Sequence, residues 1–557
     1  LTDMWNGAPI ADGSRFDAIV VGAGAAGGVA AARLCEAGLN VAIFEAGSAG
    51  TPQVNPVTRS LTALARFLDK VGAERRLPPK VARLGERVFR RLGRVRQPVQ
   101  SGLFAWAMAP DILVDDRDCP YETEPGTRFS WFRSRRPGGR MLVPGHGRQY
   151  YRLAGMTAQD RSGSGIDWPF GLNDLDDWYG WVEDRLQLKG GAHQPSGARG
   201  SRLAETLQPT GSEQTFMDII RARWPEARPV LGTFAPPLPW LDKAAATGRL
   251  TCQADAVVRR VLKNPGGAAE GVEWIDSRTG SVRRAHAPIV FLCASAIEST
   301  RLLMLSRMPS AGSGTGTGSP ALGRYLMDHA VMSGHGFCAR LDDVLPEQSE
   351  PGRCIHIPPH ETLGGSIGVQ IHIHPRPGGG ARVDIVSFAE MLPDEGNRVT
   401  LSPSRRDRHG MLVPVIRFQH SDRQHEMAQR QAAIIRDLAR DLGLSGLVVN
   451  NELSPGGTSV HECGTARMGT DPATSVLDQN NECWDVPGLF VTDAASFPRQ
   501  HVHNPTLTIM ALTARAAALA AARHDESTER PADAAWAAGD QPARASFRAI
   551  RAMSGVG

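Results

Sequence analysis

The sequence predicts an α/β fold organised around an open parallel sheet, joined to a second region built on an antiparallel sheet. Three observations predict it. Residues 16–45 read as strand, glycine turn, helix and strand. Apolar or alternating runs at 250–261, 271–275 and 289–293 supply further strands, followed by a helix over 296–305. From 336 to 401, short β-like runs alternate with Pro and Gly turns, the pattern of an antiparallel sheet.

The first unit can be read residue by residue. Residues 17–21 (DAIVV) form a short β-branched strand, 22–28 the turn, and 29–37 an alanine-rich helix ended by Gly38. Residues 41–44 form the next strand. Further on, DWPFGLNDLDDWYGWVEDRL (167–186) predicts a helix with Asn173 or Asp174 near its start and its aromatics turned to the core. Residues 422–442 predict another helix, and 309–320, rich in Ser, Gly and Thr, a loop. Residues 58–96 are strongly basic, with Arg75, Arg76, Arg90, Arg91, Arg94 and Arg96 on expected helices. That segment reads either as a solvated face or as a docking surface for an acidic partner or electron acceptor. Beyond Arg523 the chain is alanine-rich and polar with no hydrophobic face, so it is expected to be peripheral or disordered.

Composition narrows the function classes. A chain of 557 residues is too long for one core and should form roughly two to four folding units. A net charge of +4 gives no argument for nucleic acid or a membrane surface. The cysteines, Cys35, Cys119, Cys252, Cys293, Cys338, Cys354, Cys463 and Cys483, form no CxxC pair and no zinc-like spacing, so they read as reduced thiols and no metal site is expected. No apolar run is long enough to span a bilayer, and no signal-peptide pattern is seen. The expectation is a cytoplasmic protein, with a periplasmic location through a partner subunit left open.

Val21-Gly22-Ala-Gly24-Ala25-Ala26-Gly27 is a GxGxxG turn directly after a strand and opening a helix. Gly22 allows the tight turn, Gly24 the approach of backbone to a pyrophosphate, and Gly27 the close packing of helix on strand. The helix N-terminus offers N–H groups to the phosphates. Glu45 ends the next strand, placed to accept hydrogen bonds from the ribose hydroxyls of an adenosine. FAD and NAD share this fingerprint, and the motif alone does not choose between them.

The C-terminal third carries more. It reads His461-Glu-Cys-Gly464-Thr-Ala-Arg467-Met-Gly469, then Val476-Leu-Asp478, then Gly488-Leu-Phe-Val-Thr-Asp493-Ala494-Ala-Ser496-Phe-Pro498, and closes on Asn504-Pro505-Thr506-Leu-Thr-Ile-Met-Ala-Leu512 and Arg515. In order, spacing and residue type this resembles the closing block of the glucose–methanol–choline (GMC) oxidoreductases. Gly138-Gly139-Arg140, Ala256-Val-Val258, Phe291 to Ser299, Leu322-Gly-Arg-Tyr-Leu-Met-Asp328-His329, Glu390-Met-Leu-Pro and Asn397-Arg-Val-Thr400 also resemble that family, in the same order. The likeness runs from about Asp17 to Arg523.

The resemblance implies a discontinuous Rossmann-like FAD-binding domain (14–50, 125–155, 245–330 and 455–523) and a substrate-binding domain with an antiparallel sheet and flanking helices (156–244 and 331–454). It leaves 51–124 as a basic helical insertion or lid and 524–557 as a tail. It implies FAD held without a covalent bond, since His146 is offset from the position where some members tether it. Asp493 and Ala494 would lie by the ribityl and phosphates. Pro505 and Thr506 would face the pyrimidine side of the ring, and Val258 would meet adenine through its backbone. The loop at Gly138, Gly139 and Arg140 would run along the flavin, and Ser295 stands where a glycine is common.

Alcohol oxidation needs a base of near-neutral pKa for the hydroxyl proton and a positioned donor for the oxygen. The family's His and Asn positions fall on His461, the expected base, and Asn504, the expected second polar group. His501 and His503 read as loop or pocket-wall residues. Gly464 to Gly469, Trp484 to Phe490, Asp167-Trp168-Pro169 and Asp177-Trp178-Tyr179 lean toward the branch of bacterial glucoside 3-dehydrogenases, gluconate dehydrogenase large subunits and pyranose 2-oxidase. The implied reaction turns a pyranose C2 or C3 hydroxyl into a ketone. The acceptor would be O2 or a quinone or cytochrome, and a small escort subunit is possible under this reading. Alternatives are oxidation of the sugar of a natural-product glycoside (a C-glycoside or aminoglycoside) or of a non-sugar alcohol. From other classes come a flavin-retaining lyase, a non-catalytic flavoprotein subunit and an NAD-dependent dehydrogenase.

Overall fold

The computed structural model describes residues 3–5, 7, 9–49, 91, 95–103, 105–106, 108–143, 149–153, 167–192, 201–236, 240–307, 318–339, 341, 343–344, 352–376 and 379–529. Arg75, Arg76, Arg90, Arg94, His146, the loop over 309–317 and the tail from 530 lie outside the described residues.

Strand Ala18–Val21, helix Ala25–Glu36 and strand Val41–Phe44 form the expected βαβ unit. The helix starts at Ala25 rather than at 29. Gly27 and Gly28 look like turn residues by propensity, yet they sit in the first helical turns because the packing leaves no room for a side chain. A Cβ on Gly27 would lie 1.8 Å from the Gly22 carbonyl oxygen, and one on Gly28 2.9 Å from Cβ of Trp240.

The sheet around this unit has five parallel strands in the order Leu489–Val491, Ile289–Leu292, Ala18–Val21, Val41–Phe44, Leu250–Gln253. The first four are buried along their whole length, as a parallel sheet covered on both faces requires. Phe291 and Phe490 stack across adjacent strands at 4.8 Å. The order reverses at Ala18–Val21, so a crevice opens at the carboxyl ends of the central strands. A small sheet of strands Ala256–Lys263, Ala269–Asp276 and Val282–His286, with Ser14–Arg15 at its edge, lies beside the first.

The second sheet has six strands, ordered Ser445–Val449, Ala330–Cys338, Ala381–Ala389, Ile367–Pro375, Ile355–Ile357, Val230–Leu231, all antiparallel. Alternation gives it two unlike faces. One face (Met332, Val383, Ile385, Val369 and Ile371 among others) forms an apolar core with Ile435 and Leu438 of helix Asp422–Asp441. The other face carries Val331, Phe388, Gln370 and His356. The register pairs Phe388 with both Val331 and Gly368, and Gln370 with His356. This mixed face meets the segments that carry His461 and Asn504 and supplies one wall of the site below.

Helix Asp176–Leu186 forms as expected, but its N-cap is Leu175 and no side chain caps it. Asp174 accepts instead from the Gly171 N–H, in a 3-10 turn that precedes the helix. The helix is fastened by a buried ion pair: Arg152 donates to both oxygens of Glu183 at 2.7 and 2.6 Å. Removing Glu183 leaves the buried Arg152 with the longer contact to Asp176 (3.3 Å), at a cost approaching the ~3–5 kcal/mol of a broken buried pair. Glu183→Gln is therefore expected to lower the unfolding midpoint strongly, and a chemical-denaturation curve reads this directly.

The final helix runs from Thr506 to Glu529, so the chain stays helical past Arg523 instead of leaving the fold there. Arg523 pairs with Glu482 at 2.5 Å and His524 lies 3.7 Å from Asp17, which anchors this last stretch. All eight cysteines are free thiols, seven of them buried. Among the described residues no helix is long and apolar enough to cross a membrane.

Candidate active site

A crevice open to solvent lies at the carboxyl ends of the first sheet. Gly22, Gly24, Ala25, Ala26, Glu45, Gly139, Arg140, Val258, His461, Asp493, Ala494, Pro505 and Thr506 all line it. Three helix N-termini open onto it, at Ala25, Ala296 and Thr506. The N-cap Gly24 makes no side-chain cap and the first turn holds no acid, so the amides and the positive dipole end face the crevice. A Cβ on Gly24 would meet nothing within 4 Å, while one on Gly22 would lie 2.5 Å from the Cys293 carbonyl oxygen. Gly24 is thus open toward the crevice, and Gly22 and Gly27 are closed by protein.

Glu45 is buried at the end of its strand, where its oxygens accept from the N–H groups of Ala23 (3.1 Å) and Gly47 (2.8 Å). Burial pushes its carboxyl above the usual range against those donors. A carboxylate has about four acceptor sites, so capacity remains for a hydroxyl. Asp493 caps the short turn Ala494–Ser496 through the Ala495 N–H (3.0 Å) and accepts from Ser299 Oγ at 2.5 Å; burial pushes its carboxyl up to about 6. Arg140 bridges to Glu462 at 2.7 Å and to Ser295 Oγ at 3.3 Å. Ser295 has φ +78°, the conformation for which a glycine is the easy choice.

His461, also in the lining, is 7% exposed. It is the last residue of a loop in which Val460 is held at φ +60°. A β-branched residue there is strained, and strain of this kind persists only where surrounding contacts over-determine it. Those contacts come from Asp328. Its carboxylate accepts from the backbone N–H of Gly457 (2.7 Å), Ser459 (3.3 Å) and His461 (3.2 Å), and from the Ser459 hydroxyl. Burial pushes the Asp328 carboxyl up to about 7 against the pull of these donors.

The His461 ring has a neighbour at each nitrogen. Nε2 is 3.3 Å from Asn504 Nδ2, and Nδ1 is 2.9 Å from His329 Nδ1. Gln370 Nε2 donates to Asn504 Oδ1 at 2.9 Å, which turns the amide NH2 toward His461. Phe388, from the same sheet face as Gln370, contacts the rings of His329 (5.6 Å) and His461 (5.8 Å). Behind Asn504, His501 and His503 stack at 5.1 Å, and Tyr151 stacks on His356 at 4.5 Å. Among the described residues no group of His, Cys, Asp and Glu side chains is arranged to hold a metal ion.

The histidines around His461 are kept neutral. Burial lowers the pKa of His329 and His501 to about 4 and of His356 to about 3, and takes His503 well below its usual value. An unfolded histidine titrates near 6.5. Between about 6.5 and 4 the unfolded chain therefore binds more protons than the folded one, and stability falls as pH falls, by up to about 1.4 kcal/mol per pH unit for each such group. The raised carboxyls of Asp328 (about 7) and Asp493 (about 6) oppose this over the same window, so unfolding midpoints should drop toward pH 4 by the excess of histidines over carboxyls; midpoints that rose toward pH 4 would contradict the burial of this cluster.

The model of the GMC oxidoreductase family matches residues 393–513. The chain is 31% identical over 287 residues to C-glycoside 3-oxidase of Arthrobacter globiformis, a match covering 47% of this chain and 51% of that one. It is 25% identical over 562 aligned positions to paromamine 6'-oxidase of Streptomyces fradiae, covering 91% of each. Its fold matches formate oxidase of Aspergillus oryzae, a protein whose FAD is modified, with TM-score 0.61, 16% identity, and coverage of 93% of this chain and all of that one. The chain is similar to the GMC oxidoreductases, most specifically over residues 393–513. It spans about half the length of the C-glycoside 3-oxidase and nearly all of the paromamine 6'-oxidase.

The structure brings together residues far apart in sequence. Of the sequence-derived positions, Gly27 and Gly138 do not line the crevice. Gly27 packs against Gly22, and Gly138, at φ +94°, turns the chain so that Gly139 meets Gly24. Asn504 lies just behind the lining, joined to it through His461. Sequence reasoning missed His329, Gln370, Phe388 and His356. The Asp328-His329 pair stood inside a family-like segment but was given no role. Gln370 and His356 were hidden in strands where alternation reports burial and not chemistry.

Proposed function

We propose that the protein is an FAD-dependent oxidoreductase that converts a secondary hydroxyl of a sugar or glycoside into a ketone. The observation that carries this reading is the pair His461 Nε2 and Asn504 Nδ2, 3.3 Å apart, with His461 in the lining of the same crevice as the glycine turn and Glu45. A substrate hydroxyl lodged against both would donate to Nε2 and accept from Nδ2. His461 then takes the hydroxyl proton, and Asn504 stabilises the negative charge growing on oxygen.

The residues present fit FAD. Gly24 leaves room for phosphates, the helix at Ala25 aims its amides there, Glu45 has acceptor capacity for a ribose, and Val258 is placed for adenine. FAD held without a covalent bond would supply the acceptor for the hydride leaving the substrate carbon. Asp493, Ala494, Pro505 and Thr506 would hold its ribityl and ring, with the positive end of the final helix behind them.

The sugar class is supported by relatives named for oxidising a C-glycoside and an aminoglycoside. Their names differ in the position attacked, 3 in one and 6' in the other. The test is to incubate the FAD-loaded protein with a panel of glycosides and an artificial electron acceptor, and to read the products by carbon NMR. A ring ketone carbonyl supports the proposal. An aldehyde carbonyl would move the reading to a primary hydroxyl, and no new carbonyl would count against the sugar class.

A further inference from the structure

We infer that His329 fixes the tautomer of His461, so that the lone pair able to accept a proton stays on Nε2, beside Asn504. The inference rests on the reading of His461 as the base. Its starting point is a backbone carbonyl: His329 Nε2 lies within hydrogen-bond distance of the His501 oxygen, which can only accept. The His329 Nε2 therefore carries a hydrogen. The ring is 3% exposed and neutral, with burial lowering its pKa to about 4, so its Nδ1 has no proton and is an acceptor. His461 Nδ1, 2.9 Å away, must be the donor. A neutral imidazole has one N–H, and in His461 it is now spent on Nδ1. The lone pair is left on Nε2, where Asn504 Nδ2 approaches at 3.3 Å.

The opposite tautomer meets two conflicts. It would need a second proton on a histidine that burial keeps neutral, or would set two lone pairs against each other at the His501 carbonyl. The charged and titratable groups around this chain are the neutral His503 and His501, the Arg499–Glu390 pair at 2.8 Å, the Asp328 carboxyl under the His461 amide and the Arg140–Glu462 pair on the crevice side. None of these contributes a hydrogen bond to the His329 ring, which is held by His461 and the His501 carbonyl.

When His461 gains a proton at Nε2, its Nδ1–H bond to His329 becomes charge-assisted and stronger. Because the chain of bonds ends on a carbonyl, no proton can leave that way. It must return through Nε2. His329 is thus a positioning residue that touches neither substrate nor cofactor.

The experiment uses FAD-loaded protein with 15N-labelled imidazoles, together with His329→Leu and His329→Asn. Two-bond nitrogen–proton spectra should place the His461 proton on Nδ1 and the His329 proton on Nε2 in the unaltered protein. His329→Leu removes the acceptor and should move His461 to a mixture of tautomers or to Nε2–H. Its limiting rate of flavin reduction should fall by ~10²-fold or more, since a wrong tautomer costs ~10⁴-fold in a well-studied hydrolase triad, with KM nearly unchanged. His329→Asn, whose carbonyl oxygen can accept, should recover most of the rate. Finding the His461 proton on Nε2 in the unaltered protein would overturn the inference. So would a His329→Leu variant of unchanged rate and pH profile, or a loss of FAD and rate alike in both variants. If the spectra agree but no alcohol reduces the flavin, the tautomer assignment stands and the alcohol-oxidation reading falls.

Discussion

His461→Ala should bind FAD as tightly as the unaltered protein and yet be reduced by substrate ~10²–10⁴-fold more slowly, the usual contribution of a positioned general base. His461 makes hydrogen bonds to Asn504, His329 and Asp328, none of them a residue of the glycine turn, so loss of the side chain should leave the adenosine and phosphate positions untouched. The backbone of residue 461 keeps its bond to Asp328, so the loop should hold its course. A stopped-flow measurement of flavin bleaching, set beside a titration of FAD into apoprotein, separates the two effects. Loss of FAD in proportion to rate would mean that His461 is a structural prop. Unchanged reduction would remove it from the chemistry.

The glycine turn gives the second large effect, and the expected outcome differs from one glycine to the next. Gly27→Ala sets a methyl 1.8 Å from the Gly22 carbonyl oxygen, a clash between backbone and Cβ that no rotamer relieves. Gly22→Ala adds a contact 2.5 Å from the Cys293 carbonyl oxygen at φ +99°. Both should unfold the βαβ unit or yield insoluble protein, in the range of several kcal/mol where core clashes fall. Gly24→Ala meets nothing within 4 Å, so the apoprotein should melt almost where the unaltered one does. Its methyl would enter the space meant for the pyrophosphate, and FAD affinity should fall by at least about tenfold, about 1.4 kcal/mol. Equal destabilisation by all three would mean that the turn is only structural.

Legibility in the sequence followed the range of the interactions. The first βαβ unit, the strands after 250 and the helix at Asp422 are local patterns, and the elements formed close to where the pattern put them. The start of the first helix did not. Propensity sets Gly27 and Gly28 outside a helix, whereas their contacts with Gly22 and Trp240, set by packing, hold them inside it. The N-cap at Leu175 and the helical stretch past Arg523 were missed for related reasons. Each depends on partners distant in sequence or on a side chain spent elsewhere, as Asp174 is on Gly171.

The same holds at the site. His461, Asn504 and Glu45 stand in motifs whose spacing can be read. His329 meets His461 across 132 positions, and Gln370 meets Asn504 across 134. Those meetings exist only because an antiparallel sheet turns one of its faces toward the loop that carries His461. The register of Phe388, Gln370 and His356 decides it, and a slip of one residue would send all three to the other face.

The central claim is that the His461–Asn504 pair takes a proton from a substrate alcohol while its hydride goes to the cofactor. The most direct test mixes the purified, FAD-loaded protein anaerobically with sugars, glycosides and simple alcohols and follows flavin absorbance. The account predicts bleaching by at least one sugar or glycoside, and its near-abolition in His461→Ala. A flavin that dithionite bleaches but that no alcohol on the panel touches would contradict it.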